Sequence, residues 1–136
     1  MKLARGKYVI VCVQDDMFLS KNLLNIIFEK SEKFKLDILQ FKSSKIIGNN
    51  IIKFKPEKSF PEYDSIITQP MLGNIENYLN NSVGFSFNLW DKIIKKIVYI
   101  EALNNIGEDL FNSKIVQRED HIITLALYKV AERYEN

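Results

Sequence analysis

Apolar and polar positions follow three rhythms along the chain, and each rhythm predicts an element. Tyr8-Val9-Ile10-Val11-Cys12-Val13 is an unbroken apolar run that stops at Gln14-Asp15-Asp16. Such a run predicts a strand buried on both faces, as in the parallel sheets of α/β proteins. Leu23, Leu24, Ile27 and Phe28 then recur at helical spacing, with Glu29, Lys30, Glu32 and Lys33 on or near the wet side. They predict a helix over 21–34, capped by Ser20. Leu36-Asp37-Ile38-Leu39-Gln40-Phe41 has the alternation of a short strand. Strand, helix and strand on short links predict a βαβ-type unit, with parallel strands and a right-handed crossover.

Beyond it the signals are local. Ile46-Ile47 and Ile51-Ile52-Lys53-Phe54 flank Gly48-Asn49-Asn50, which has the turn chemistry of a hairpin. Pro56, Pro61 and Pro70 punctuate a loop-rich excursion with a short helix expected near 63–68. Phe85-Ser86-Phe87-Asn88-Leu89-Trp90 alternates as a half-buried strand does, and Asp91 to Lys96 continues it as a second strand or a turn. Tyr99 to Ile106 predicts a helix closed by Gly107. Glu119-Asp120-His121 opens a last helix to about Tyr134, with Ile123, Leu127, Val130 and Tyr134 on its inner face. Ala4-Arg5-Gly6-Lys7 resembles the tail of a helix and its glycine stop.

Composition narrows the class. The chain has 136 residues, 46% hydrophobic and 26% charged, which suits one globular domain and excludes disorder. Net charge is +2 with no basic arm or stripe, so nucleic acid is not an expected partner. The one cysteine, Cys12, lies in the apolar run and is expected to be a small core residue. No apolar segment approaches the roughly 18–20 residues that span a bilayer. The first residues do not lead into a signal peptide, because the apolar run that follows is short and ends in Asp-Asp. The expected location is the cytoplasm, with attachment to a membrane surface left open.

Two acidic pairs carry candidate chemistry. Open α/β sheets bind ligands beyond the carboxyl ends of their strands, where Asp15-Asp16 would meet a hard cation or a phosphate-bearing ligand. The competing reading is a solvated acidic turn. Glu119 and Asp120 fall at the positive end of a helix, which favours carboxylates whether or not they do chemistry. Glu108-Asp109 is a second such pair, so the dipeptide alone is uninformative; the long apolar-faced helix after Glu119-Asp120 singles that pair out.

The order of these features resembles the middle and C-terminal part of a family 2 glycosyltransferase of GT-A fold. Ala4-Arg5-Gly6-Lys7-Tyr8 with Gln14-Asp15-Asp16-Met17-Phe18 is similar to the family's Ala-x-Gly-x-Tyr stretch, apolar strand and Asp-x-Asp-Asp-aromatic motif. Phe87-Asn88-Leu89-Trp90-Asp91-Lys92 resembles its Trp-x-Lys stretch, and Gln117-Arg118-Glu119-Asp120 its Glu-Asp helix. The resemblance implies a partial GT-A (Rossmann-like) mixed α/β sheet with flanking helices. It implies sugar transfer from a nucleotide-sugar donor to a hydroxyl of a carbohydrate or lipid-linked acceptor, assisted by Mg²⁺ or Mn²⁺. By the same resemblance Asp120 is the base with Glu119 beside it. Gln14, Asp15 and Asp16 face the donor, Asp15 and Asp16 hold the metal with His121 as a third ligand, and Trp90 and Lys92 border the acceptor. The residue readings without the family are a structural or exposed His121, a core Trp90 and a surface Lys92.

Two departures accompany the match. Val13 stands where the family has its first aspartate, and the family's two preceding βα units have no counterpart upstream of Tyr8. The expectation is therefore a single truncated domain with impaired donor binding. The rival is a non-catalytic remnant acting as an interaction or regulatory module, with a partner on an exposed sheet edge. A third reading, an unrelated α/β binding module, predicts that Asp15 and Asp120 lie far apart.

Overall fold

The computed structural model describes residues 4–53, 66–68, 86–107 and 119–135. Tyr8–Ile10 forms β1, Leu23–Phe34 α1 and Ile38–Gln40 β2; Ser44–Ile47 and Asn50–Lys53 form the hairpin β3–β4, and Ile66–Thr68 forms β5. Lys92–Lys95 forms β6 and runs directly into α2, Lys96–Ile106; α3 is Glu119–Val130, and Arg133–Glu135 forms β7. Five strands make one mixed sheet in the order β1-β6-β2-β7-β5. β1 and β2 each pair antiparallel with β6, so they run parallel to one another with β6 between them. β7 is parallel to β2, and β5 is antiparallel to β7.

Alternation along each strand divides the core into two layers. On β2 and β6, Leu39 and Ile93 join Ile27 of α1 and Leu36 on one face. Ile38 and Ile94 join Val98, Tyr99 and Ala102 of α2 and Ile123, Leu127 and Tyr128 of α3 on the other. Side chains two apart share a face, so each Ile-Ile or Ile-Leu pair serves both layers at once. α1 ends with Lys35 in the left-handed region (φ +53°), and Leu36 N–H donates to Ser31 O (2.9 Å). That closure turns the chain into β2 at once.

Asp37 fastens the end of the sheet where β2 starts. Its buried carboxylate accepts from Glu132 N–H (2.8 Å), Arg133 N–H (3.3 Å) and Lys95 Nζ (3.0 Å), so it joins β2, β6 and the α3–β7 link. Lys30 of α1 pairs with buried Glu135 on β7. Among the described residues no helix is long and apolar enough to cross a membrane.

Several expectations change. The apolar run is in strand only over Tyr8–Ile10, and it is an edge strand; Val13 and Cys12 are exposed, so Cys12 is not a core residue. Past Ile10 the run is unpaired: Val11 is partly buried against the core, while Cys12 and Val13 face solvent. Residues 86–90 are not a strand, because backbone groups of Ser86, Phe87 and Asn88 bond to side chains of β2, β6 and α3, while 92–95 of the expected second strand is β6. α3 stops at Val130; Tyr134 is buried, but from β7, where strand pairing overrides the helical spacing that includes it. Ile66–Thr68 is a strand, while residues 63–65 of the expected short helix, Glu108-Asp109, Gln117-Arg118 and Phe85 lie outside the described residues. No helix occurs at residues 4–7. α1 starts at Leu23 instead of 21, and Ser20 serves its entry by accepting from Asn22 N–H (3.3 Å) instead of capping the first turn. The hairpin and the parallel β1–α1–β2 unit stand as expected, and α2 closes at Gly107 (φ +82°) as expected but starts at Lys96 instead of Tyr99.

Candidate functional site

The register brings separate motifs to one end of the sheet. Ile10 pairs with Ile93 and Gln40 with Lys92, so the carboxyl ends of β1 and β2 lie beside the start of β6. α3 leads back into β7, which is parallel to β2; its C-terminus is therefore at the amino end of β2, and its first turn is at the opposite, carboxyl end. The segment 86–91, the first turn of α3 and the chain leaving β1 toward Asp15-Asp16 all belong to that end. This is where open α/β sheets offer ligand sites.

Lys92 is the hub of the segment. Its side chain is fully buried, and Nζ donates to Ser86 O (2.8 Å), to Asn88 O and to the Asp91 carboxylate (2.7 Å). Three acceptors match the three hydrogens of an ammonium. Burial pushes its pKa below the usual lysine value, against the opposing pull of Asp91 and Asp120. The surface lysine anticipated from the residue alone is thus a buried one, tying down a stretch with no regular backbone pairing of its own.

α3 completes the clamp from one line of residues. Tyr128 donates its hydroxyl to Ser86 O (2.9 Å) and Thr124 donates to Phe87 O (2.9 Å). Asp120 is the next position up that line, at the same i, i+4 spacing, so it lies on the helix face that meets the segment. Its charge acts on Lys92 and on Tyr99 of α2; the Tyr99 pKa is raised, by burial first and by Asp120 second. Below the segment, Gln40 Oε1 accepts from Ser86 N–H (3.1 Å) and from Tyr134 hydroxyl (2.7 Å).

The other candidates differ in setting. Glu119 is exposed at the helix start. His121 is exposed, with its ring tilted over Phe87 at a centroid distance of 4.8 Å. Trp90 is half-buried. Gln14, Asp15 and Asp16 are all exposed. There the chain makes a tight turn in which Asp16 N–H donates to Val13 O (3.1 Å), and the Asp16 carboxylate accepts from Val13 N–H (3.3 Å). The fold thus brings Asp120 within electrostatic reach of buried Lys92 and sets the His121 ring against Phe87 of the same segment, while Trp90 is placed only by its neighbours in the chain. Asp15 and Asp16 leave from the same end of the sheet, but no described bond joins their turn to α3. Among the described residues no group of three or more His, Cys, Asp or Glu could hold a metal ion.

Asp91, Ser86, Thr124, Tyr128 and Gln40 were not singled out in the sequence. One signal was available: Thr124 and Tyr128 interrupt the apolar inner face of α3 at four-residue steps from Asp120, and a buried hydroxyl implies a partner. Comparison with known proteins returned no match to any family model, to any curated protein or to any solved structure.

Proposed function

We propose that this chain is a glycosyltransferase-like domain, acting on a nucleoside-diphosphate sugar and an acceptor hydroxyl. The observation that carries this reading is that the helix opened by Glu119-Asp120 is bonded to the segment that leads into Trp90-Asp91-Lys92, with the charge of Asp120 acting on Lys92. A base needs a fixed position beside the group it deprotonates. Asp120 has such a mounting, on a helix whose next two turns are bonded to the segment in front of it.

In this reading the acceptor proton passes to the Asp120 carboxylate as the acceptor oxygen attacks the anomeric carbon. The bond from that carbon to the diphosphate breaks, and its electron pair leaves with the diphosphate. Trp90 offers the acceptor an apolar face. Lys92, whose three hydrogens already have acceptors, holds segment 86–91 instead of touching the acceptor.

Asp15 and Asp16 suit Mg²⁺ or Mn²⁺ bound through one or two carboxylates together with substrate phosphates, and not a cage made of protein ligands alone. Such an ion would neutralise the departing diphosphate. Asp16 would exchange its bond to Val13 N–H for that role.

The test is thermal stabilisation by UDP-, GDP- and dTDP-sugars with Mn²⁺, since a ligand that binds only the folded state raises the melting temperature. A shift that disappears in Asp15→Ala/Asp16→Ala but persists in Asp120→Asn is expected, with sugar transfer lost in both. No shift at millimolar donor sinks the enzyme reading and leaves a non-catalytic interaction module.

A further inference from the structure

The β3–β4 hairpin stands apart from the five-stranded sheet. Among the described residues its strands pair with each other and with no third strand, and a lone two-stranded ribbon is marginal in water. It is also apolar on both sides. Ile46 faces Ile51 across the ladder on one face, while Ile47 and Ile52 lie diagonally on the other. All four are 45–57% exposed. A ribbon laid on a core would hide one pair and show polar residues on its other face; this one does neither.

Charge is concentrated in the same stretch. From Ile38 to Pro56 the chain carries Lys42, Lys45, Lys53 and Lys55 and no Asp or Glu. With +2 for the whole chain, that is +4 here and −2 elsewhere. Lys42 and Lys45 are exposed, just before the isoleucines.

We propose that the β3–β4 hairpin docks on an anionic lipid surface, with its isoleucines in the headgroup–acyl boundary and its lysines on lipid phosphates. A protein groove covers one face of a ribbon and would leave the other isoleucine pair in water. A fluid interface closes around both. A second copy of the hairpin would bring like charges together, which opposes self-pairing at low salt. The isoleucines occupy two ladder positions on each strand, about 7 Å along the ribbon. That suits the shallow depth of about 5–10 Å at which peripheral elements sit. The proposal does not depend on the glycosyltransferase reading, since no residue is shared with the Asp120 cluster.

The experiment is co-sedimentation of the whole chain with vesicles of phosphatidylcholine alone or with phosphatidylserine added. Binding to the anionic vesicles that weakens with salt is expected, with little binding to the neutral ones. Ile47→Ser/Ile52→Ser should weaken binding at least tenfold. Lys45→Gln should weaken it about fivefold, from the usual contribution of a lysine near an anionic surface. Both sites are exposed, and an unchanged melting temperature verifies the fold of each variant. The proposal is overturned if the wild type stays in the supernatant, if either variant binds as the wild type does, or if neutral vesicles bind equally well. It is also overturned if light scattering finds a dimer that the isoleucine variant abolishes, which would make the hairpin a self-association surface.

Discussion

Asp120 and the Asp15-Asp16 pair belong to the same end of one sheet, but they are mounted differently. Asp120 sits on a helix whose following turns are bonded through Thr124 and Tyr128 to a segment that Lys92 holds from beneath. Asp16 is exposed, and among the described residues its carboxylate is held by its own turn, through Val13 N–H. Two carboxylate motifs of similar sequence signal thus have opposite preorganisation. A group that must meet a reacting proton at fixed geometry gains from rigid support. A group that meets a mobile ligand can be ordered by the ligand itself. The buttressed carboxylate suits the first task and the exposed pair the second.

The sharpest way to break this contrast is at Lys92. Lys92→Met strands the buried Asp91 carboxylate, and removing one partner of a buried ion pair costs about 3–5 kcal/mol. Urea unfolding should report a loss of that order, and Asp91→Asn in the same chain should recover a large part of it. A loss below about 1 kcal/mol would mean that the segment is held mainly by α3.

Alkaline pH probes the same network more gently. Burial raises the Tyr128 pKa well above the ordinary tyrosine value, with Tyr134 and Asp91 adding to it. The unfolded chain ionises this group near pH 10 while the folded chain keeps it neutral. Its contribution is therefore intact below pH 10 and is lost as pH rises through the folded value. Stability measured from pH 9 to pH 11 should fall, and Tyr128→Phe should flatten that slope while lowering stability at neutral pH by about 1 kcal/mol.

The smallest effect belongs to the exposed turn. Asp16→Ala removes a bond that water can replace, so the change in stability should stay within about 0.5 kcal/mol. A larger loss would show that the turn is preorganised after all, and the contrast with Asp120 would shrink.

The hairpin was legible because Gly48 reaches a positive φ (+59°), as primed hairpin turns require, between two isoleucine pairs that fix the register. α1 and α2 were legible from periodicity and α2's stop at Gly107. At the site, Asp120 was visible because an acidic pair opens an apolar-faced helix. Lys92 was visible as a motif residue and invisible as a buried one. Its burial depends on Ser86 and Asn88, whose carbonyl groups no side-chain pattern reveals. The 86–91 segment misled for the same reason: its alternation is real, but its bonds go to side chains.

From its sequence alone the chain set what neighbours along the backbone can decide: three helices, one hairpin, a parallel strand–helix–strand unit and the acidic ends of two elements. These follow from periodicity, turn residues and capping, which act over a few residues. The tertiary structure decided the insertion of β6 between β1 and β2, the return of the chain through β7, and the burial of Lys92 beside Asp91 within reach of the charge of Asp120. Those contacts join residues far apart in the chain. Their free energy comes from desolvation and bond satisfaction that exist only once the sheet has closed around them.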